Sequence, residues 1–543
     1  MRWVGLGVLL LLAVLVFFFA PRKKTPAPPA LPAPYDRLER ALEARDLAAL
    51  KEIAQGEGYA AALAAWRLSG ERALALDARR AYLARWRALT HDEDPAALAR
   101  RLEELRQADE AARVWRRLLP QKEARAALIR LARQSRAARE ALLAVAPEVV
   151  LKTARDPLLK ARAALRLGEA EKALRLLDGR DGGTALTLRA EALKKLGRYR
   201  EALALYRKLG DAYDEGELLR LLGASERAIR AFLRAGDRGA FRAAGLLEKK
   251  DLGRAIRLYL WVAGEKSPYA DDAALRAWVL ARRKGEADLA KQAWARLDGG
   301  LGLLAGKPLR PLTLSPLPSA PEGLDLIKIL LRHDREDWAR GEARVRFFAS
   351  QGEEKRAWGW VLFFLGDPHT AARAGGRLSW GTPYRKAVLA AGRRFGLEPA
   401  LLFAVMRVES AFDANAISPT GAKGLFQFTD ATWQMLARQL GEAGADPFDP
   451  QKSALFAAAY LRQLLDAFDG DLRLAVVAYN GGPGYVRRAL QAYPDFWDFL
   501  RFQPRDEPRA YLAKVWQAYA VYRALGEAAF RRPAFLEGLA RPR

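Results

Sequence analysis

The chain has 543 residues, of which 51% are hydrophobic, and a formal net charge of +27. A chain of this length exceeds one hydrophobic core, so we expect several domains. It contains no cysteine, which excludes disulfides, cysteine nucleophiles and thiolate metal sites. The three histidines (His91, His333 and His369) lack the spacing of metal ligands, so we expect neither a metal nor a cofactor. The basic residues are scattered and no nucleic-acid-binding motif accompanies them, so we expect no nucleic-acid partner.

The N-terminus carries an unbroken apolar run of 18 residues, from 3 to 20. A run of this length can cross a bilayer, while the bulky Phe18 near its end and the proline after it suit signal peptidase poorly. We predict an uncleaved transmembrane helix over residues 1–20, with a cleaved signal peptide as the alternative. The basic residues that follow the run favour a cytoplasmic location for the rest of the chain, which conflicts with the location implied by the C-terminal motifs below.

The middle of the chain combines a linker with a long helical region. Residues 21–34 are rich in proline and predict a semi-rigid linker. Residues 35–300 show one helical pattern after another, and four alanines recur in equivalent positions 29, 26 and 27 residues apart: Ala173, Ala202, Ala228 and Ala255. Small residues at such positions let helices pack closely, so the region resembles tetratricopeptide repeats, although shorter and irregular. We predict an irregular α-superhelix, with a generic helical bundle as the alternative.

The C-terminal half divides into three predicted segments. Glycine and proline interrupt the helical pattern at 301–322, which predicts a second linker. Residues 323–378 follow as a small helical linker domain, and residues 379–543 as the last domain. The expected fold class is therefore all-α, with a transmembrane helix, a superhelix and a helical C-terminal domain in this order.

Glu409 is the most informative residue of the last domain. Pro399 begins a predicted helix in which Leu402, Val405 and Met406 share one face with Glu409. Burial on such a face disfavours a charged carboxylate and raises the pKa of the group. A carboxyl group that stays protonated near neutral pH suits general acid catalysis of glycosidic cleavage, so Glu409 is a candidate catalytic acid. Considered alone, a surface glutamate or an ion-pair partner remains the alternative.

Four sequence blocks follow one another in the last domain. They are Glu409-Ser410, the turn-rich stretch Ser418 to Gln427, the helix end Ala478 to Gly482, and Glu507 to Tyr511. In this order they resemble the signature of the soluble lytic transglycosylases, which are helical peptidoglycan-cleaving enzymes related to goose-type lysozyme. The resemblance covers roughly residues 380–520 and implies a lysozyme-like helical catalytic domain. The helical region upstream resembles the ring-forming domain of the larger family members in architecture alone.

The resemblance implies roles for single residues. Glu409 matches the catalytic acid and base, Ser410 the supporting serine beside it, and Tyr479 the tyrosine that hydrogen-bonds the carboxyl group. Further matches are expected to line the glycan groove: Gln427, Asn480 and Glu507.

Two positions depart from the family pattern. Phe426 stands where family members commonly have Met, and its ring is expected to stack on a sugar or to narrow the subsite. Pro508 replaces the usual Thr, which puts a local polar contact in doubt. Asp413 and Asp430 lie near the acid in sequence, and we interpret both as capping residues rather than catalytic ones.

The activity that the resemblance implies is lytic transglycosylation of peptidoglycan. Glu409 would protonate the leaving oxygen of the β-1,4 bond between N-acetylmuramic acid and N-acetylglucosamine, and then help the muramic C6 hydroxyl to form a 1,6-anhydro product. The alternatives are a hydrolytic muramidase and a non-catalytic wall-binding helical scaffold.

The expected partners are peptidoglycan strands, the membrane through the N-terminal helix, and cell-wall proteins through the superhelix. The expected location is the inner (cytoplasmic) membrane, with the bulk of the chain in the periplasm.

Overall fold

The structure is a computed structural model that describes residues 30–90, 94–119, 121–312, 314–418, 420–502, 506–526 and 531–539. Within these ranges the regular secondary structure is helical. Two isolated antiparallel bridges, Ile417 with Lys423 and Lys423 with Phe428, supply β-type pairing. The all-helical part of the predicted fold is thereby confirmed.

A first group of helices, called the helical array below, occupies the N-terminal half. Within the described residues it consists of α1 (Ala33–Glu43), α2 (Leu47–Gln55), α3 (Gly58–Ser69), α4 (Leu76–Thr90), α5 (Pro95–Glu104), α6 (Ala108–Arg117), α7 (Lys122–Leu131), α8 (Arg136–Leu142), α9 (Pro147–Thr153), α10 (Pro157–Arg166), α11 (Ala170–Leu176), α12 (Gly183–Lys195), α13 (Tyr199–Leu209), α14 (Ala212–Leu221), α15 (Ser225–Leu233), α16 (Gly236–Leu247), α17 (Leu252–Gly264), α18 (Ala270–Lys284), α19 (Ala287–Arg296) and α20 (Gly299–Leu304).

The C-terminal half begins with a segment of short helices: α21 (Leu324–Arg332), α22 (Glu336–Ala349), α23 (Gly352–Phe364), α24 (Pro368–Ala372) and a 3₁₀ turn (Gly376–Trp380). The last domain follows with α25 (Arg385–Phe395), α26 (Pro399–Ser410), α27 (Asp430–Gln439), α28 (Pro450–Ala467), α29 (Leu472–Gly481), α30 (Pro483–Ala492), α31 (Phe496–Phe502), α32 (Asp506–Leu525) and a 3₁₀ helix (Ala534–Leu539). The predicted boundaries at 300, 322 and 378 stay predictions.

The weak sequence repeat marks helix contacts in the helical array. The four recurring alanines have no exposed surface: Ala173, Ala202, Ala228 and Ala255. Turns between successive helices contain glycines with φ of 81°, 73° and 76° at Gly168, Gly197 and Gly223, a left-handed conformation that costs other residues energy. Buried alanine and turn glycine thus let consecutive short helices pack closely along the array.

The predicted N-terminal transmembrane helix requires a correction. Among the described helices, none is both long enough and apolar enough to cross a membrane. In the described part of the chain two helices have 18 or more residues, α28 and α32, and each carries more than two charged residues. Residues 1–20, to which the prediction was assigned, lie outside the described residues, as does the part of the proline-rich linker from 21 to 29.

Both ends of the helical array contact the C-terminal half. At the start of the array, Glu342 on α22 accepts hydrogen bonds from the Tyr35 hydroxyl at 2.8 Å and from the Tyr59 amide at 2.7 Å. At its end, the buried side chains of α16–α20 share one hydrophobic core with those of α25–α32. The last helices of the array therefore pack against the last domain. The first helices of the array contact the segment that precedes that domain.

Three ion pairs join the end of the array to the last domain: Glu248 with Arg501, Asp272 with Arg509, and Arg283 with Asp498. The Arg501 side chain is 1% exposed and that of Glu248 12% exposed. Glu248 also accepts a hydrogen bond of 2.7 Å from the Tyr259 hydroxyl. Removing one partner of a buried pair leaves the other charge without compensation, so these pairs should be sensitive to truncation.

The substitution Glu248→Ala should lower the free energy of unfolding by about 3 kcal/mol, because the guanidinium of Arg501 then loses its buried carboxylate. Urea titration followed by circular dichroism measures this change. Glu201→Ala, which removes an exposed carboxylate bound to Arg198, is the control and should leave the unfolding midpoint unchanged. Equal midpoints for both variants would contradict a stabilising role for this contact.

Candidate active site

Glu409 lies on the last turn of α26, at the end of an apolar helix face. Leu402, Val405 and Met406 have no exposed surface, as the helical spacing predicts. Pro399 occupies the first turn of α26, where its missing amide hydrogen costs nothing. The first turns of the helix are therefore buried in the hydrophobic core, and its last turn places the partly buried carboxyl group of Glu409 in the lining of a cleft.

The environment of Glu409 raises the pKa of its carboxyl group into the neutral range. Burial is the largest influence and raises the pKa to about 7. A hydrogen bond of 2.7 Å from the Tyr511 hydroxyl to Oε1 of Glu409 opposes this shift, and the nearby charge of Glu507 adds to it. The side chain can therefore donate a proton and afterwards accept one at similar pH, as general acid–base catalysis requires.

Two tyrosines flank the carboxyl group, and they differ in what they bind. The Tyr511 hydroxyl donates to Glu409, whereas the Tyr479 hydroxyl donates to the backbone carbonyl of Phe426 at 2.9 Å. Their rings stack with centroids 6.4 Å apart and planes 3° apart. Burial raises the pKa of both phenols well above the usual value, so both hydroxyls remain donors. The sequence motif assigns the contact with the acid to Tyr479, but in the structure it is made by Tyr511.

Ser410 fastens the end of α26 to the loop that follows. Its Oγ donates to the carbonyl of Leu425 at 2.9 Å, and it lies 3.3 Å from the carbonyl of Met406. Ser410 is 9% exposed and lines the cleft beside Glu409, so its hydrogen bond to the loop fixes the cleft wall at this point.

The backbone around the acid adopts conformations that are rare for residues other than glycine. Ala411, Phe412 and Gln427 have φ of 49°, 71° and 52°. Such left-handed residues cost energy and cluster at functional sites, where the surrounding structure holds them in place. Here the left-handed residues lie two and three positions after Glu409 and in the loop that also lines the cleft.

The loop positions Gln427 at the cleft and buries Phe426. Nε2 of Gln427 donates to the carbonyls of Gly424 at 2.8 Å and Ala416 at 3.1 Å, which holds its side-chain amide in the lining of the cleft. The Phe426 ring is 0% exposed. The expectation that this ring stacks on a sugar is therefore wrong for this conformation, because the ring belongs to the hydrophobic core.

Asn480 and Glu507 form a polar pair at the surface near the acid. Nδ2 of Asn480 lies 3.5 Å from Oε1 of Glu507, and both side chains are exposed. The negative charge of Glu507 lies close enough to Glu409 to raise the pKa of its carboxyl group. Their predicted role in substrate binding stays a prediction.

The cleft at Glu409 has a volume of about 540 Å³ and is lined from three parts of the chain. The last domain supplies the end of α26 and the loop that contains Ser418 and Gln427. The segment before it supplies His369, whose Nδ1 lies 3.2 Å from the carbonyl of Ala411. The helical array supplies Arg117 and Gln121 from the turn between α6 and α7. Motif reasoning missed these last three residues, because no local pattern indicates that the array reaches this cleft.

The other carboxylates near the acid have structural partners. Oδ1 of Asp413 accepts a hydrogen bond from the Asn415 amide at 2.9 Å. Asp430 pairs with Lys423 at 2.6 Å and lies in the first turn of α27. Among the described residues, no group of three or more His, Asp or Glu side chains could hold a metal ion; His91 lies outside them.

Comparison with known proteins agrees with this geometry. Residues 386–498 match the family model described as "Transglycosylase SLT domain". The membrane-bound lytic murein transglycosylase C of Cronobacter sakazakii is 31% identical over 166 residues, which cover 26% of this chain and 46% of the relative. The protein of the same name from Serratia proteamaculans is 30% identical over 166 residues. The chain thus spans about half the length of the curated relatives it matches.

The similarity to solved structures extends over nearly the whole chain. The 70 kDa soluble lytic transglycosylase SLT70 of Escherichia coli superposes with a TM-score of 0.51 at 16% identity, covering 92% of this chain and 98% of that one. A complex of the 70 kDa soluble lytic transglycosylase with bulgecin A gives the same values. The match to the transglycosylase family model lies within the last domain, where the sequence motifs predict it. The chain as a whole shares the fold of SLT70.

Proposed function

We propose that this chain is a peptidoglycan lytic transglycosylase that cleaves the β-1,4 bond between N-acetylmuramic acid and N-acetylglucosamine. The observation that carries this proposal is the partly buried carboxyl group of Glu409, which lines a cleft and whose pKa is raised by burial. Its pKa of about 7 and its hydrogen bond from Tyr511 suit one group that first donates and then accepts a proton. The family match and the names of the relatives support the same substrate class.

In the proposed reaction Glu409 donates its proton to the leaving glycosidic oxygen as the bond to C1 of the muramic acid breaks. The 2-acetamido group of the same sugar stabilises the cationic centre in place of a second carboxylate. The Glu409 carboxylate then removes the proton of the C6 hydroxyl, whose oxygen attacks C1. The product is a 1,6-anhydro sugar, no water is consumed, and Glu409 regains its proton.

The surroundings of Glu409 favour a mechanism with one carboxyl group. Ordinary glycosidases use a pair of carboxyl groups, one as acid and one as nucleophile or base. Asp413 also lines the cleft, but its Oδ1 caps the backbone at Asn415, and Asp430 is paired with Lys423. These contacts leave Glu409 as the group suited to move protons.

A hydrolytic muramidase is the second candidate, and the presence of Asp413 in the same cleft is the observation that favours it. An Asp413 carboxylate that activated water would convert the same cleft to hydrolysis. A wall-binding scaffold without catalytic activity is the third candidate, and the raised pKa of Glu409 in the cleft argues against it.

The proposal places the chain outside the cytoplasm, where peptidoglycan lies, in agreement with murein enzymes among its relatives. Its net charge of +27 should attract it to the anionic groups of the wall. Partner proteins that bind the helical array are part of the same proposal.

Mass spectrometry of the products tests the proposed reaction. Digestion of purified sacculi by the wild-type chain should release muropeptides with 1,6-anhydromuramic ends, which lack one water relative to hydrolysis products. Products with reducing ends would favour the muramidase. Tight binding to sacculi without any product would favour the scaffold.

A further inference from the structure

A second and larger cleft lies within the helical array, away from Glu409. It has a volume of about 950 Å³ and is formed by residues from the end of α8 to the end of α13. This volume is at the upper end of the range that holds small-molecule and peptide ligands. We call it the basic cleft, after its lining residues Arg162, Arg166 and Lys195.

The three basic side chains of this cleft are exposed and lack ion-pair partners. Within the part of the chain that the structure describes, no carboxylate lies within salt-bridge distance of Arg162, Arg166 or Lys195. Cations on the same helices behave differently, since Lys194 pairs with Asp214 at 3.1 Å. Arg189 likewise reaches Asp181, at 3.8 Å. Basic side chains beside the cleft are thus paired with carboxylates of the array, whereas the three basic side chains that line the cleft are available to an anionic ligand.

The remaining walls define what kind of anion fits. Leu165 and Leu188 form an apolar floor and are 5% and 6% exposed. Thr184 adds a hydroxyl group, and Glu191 adds one carboxylate that can accept a hydrogen bond from an amino group. Three cations against one carboxylate, above an apolar floor, complement a peptide with several carboxylates and small alkyl side chains.

We propose that the basic cleft binds the carboxylate-bearing stem peptides of peptidoglycan strands, as an attachment site separate from the cleft at Glu409. The choice of this ligand rests on the proposed function, which makes the wall polymer the substrate. The lining residues of the two clefts do not overlap, so attachment and cleavage can be altered independently. The cleft holds a strand on the array while another part of the polymer lies at the acid.

The test uses the full chain with Arg162→Gln, Arg166→Gln and Lys195→Gln combined. All three side chains are exposed, so the fold should be retained. A matched control carries Arg200→Gln, Lys208→Gln and Arg227→Gln, which remove the same charge from exposed positions outside both clefts. Binding is measured by co-sedimentation in a Glu409→Gln background, with glycan strands that carry stem peptides and with strands from which an amidase has removed them.

The cleft variant should bind peptide-bearing strands roughly tenfold more weakly than the control, and the two should bind peptide-free strands equally. Equal binding of both variants to peptide-bearing strands would overturn the proposal. An equal loss on peptide-free strands would also overturn it, because the cations would then act on the glycan or through net charge alone. The proposed reaction is tested separately, with the chain that retains Glu409. If that reaction is wrong, this chain will release no anhydro products from peptide-free strands.

Discussion

The substitution Glu409→Gln should lower the rate of muropeptide release from purified sacculi by about 10²–10⁴-fold, the usual contribution of a positioned general acid. Glutamine has nearly the same shape and can still accept the hydrogen bond from the Tyr511 hydroxyl, but it has no proton to donate to a leaving oxygen. Chromatography of the soluble products measures the rate. Activity of the variant within tenfold of the wild type would contradict the assignment of the acid.

A stability measurement separates loss of chemistry from loss of fold. The pKa of Glu409 is raised from 4.5 to about 7 in the folded chain, so the folded state loses stability as the pH rises through this interval. At about 1.4 kcal/mol per pKa unit, the ionised carboxylate costs about 3 kcal/mol above pH 7. Glu409→Gln should therefore unfold at a higher temperature than the wild type at about pH 8, and this difference should nearly vanish near pH 4.5.

The second large effect is expected from Tyr511→Phe. Loss of the hydroxyl removes a donor that stabilises the Glu409 carboxylate, so the pKa of Glu409 should rise. Cleavage depends on the protonated acid and falls as the pH exceeds this pKa. The alkaline limb of the pH–rate profile should move to higher pH, and the maximal rate should fall by about tenfold or more because the carboxyl group is no longer oriented. The pH dependence of kcat/KM measures both effects.

Two further variants serve as controls for Tyr511→Phe. Tyr479→Phe removes a hydroxyl that donates to the Phe426 carbonyl, so the alkaline limb should keep its position. Glu507→Gln removes a nearby negative charge that raises the pKa of Glu409, so the limb should move to lower pH. If the alkaline limb of the pH–rate profile moved in Tyr479→Phe but not in Tyr511→Phe, the contact with the acid would belong to Tyr479, as the sequence motif predicts.

The acid itself could be predicted from the sequence, because its position depends on local periodicity. A proline at the start of α26 and apolar residues at helical spacing place Glu409 beside the core before any fold is known. The capping role of Asp413 follows from a local pattern in the same way. Such inferences need one helix or one turn, and the structure agrees with them. Asp430 differs, because Thr429 caps α27 and the Asp430 carboxylate pairs with Lys423.

Contacts that depend on tertiary packing could not be predicted in this way. Tyr479 and Tyr511 both belong to motif blocks, and which hydroxyl reaches the acid depends on how α29 and α32 pack. Arg117 and Gln121 reach the cleft because the first part of the array returns to the last domain. Phe426 is buried in the hydrophobic core and Gln427 beside it has a left-handed backbone, and residue types alone indicate neither feature.

The proposed reaction requires a protonated Glu409 near neutral pH, and difference infrared spectroscopy measures this protonation state directly. Spectra of the wild type minus those of Glu409→Gln, recorded between about pH 4 and pH 9, isolate the carbonyl band of this protonated carboxyl group. Because burial raises the pKa of Glu409, the band should persist at pH 6 and disappear with a midpoint of about 7. A midpoint near the usual glutamate value of about 4.3 would contradict it.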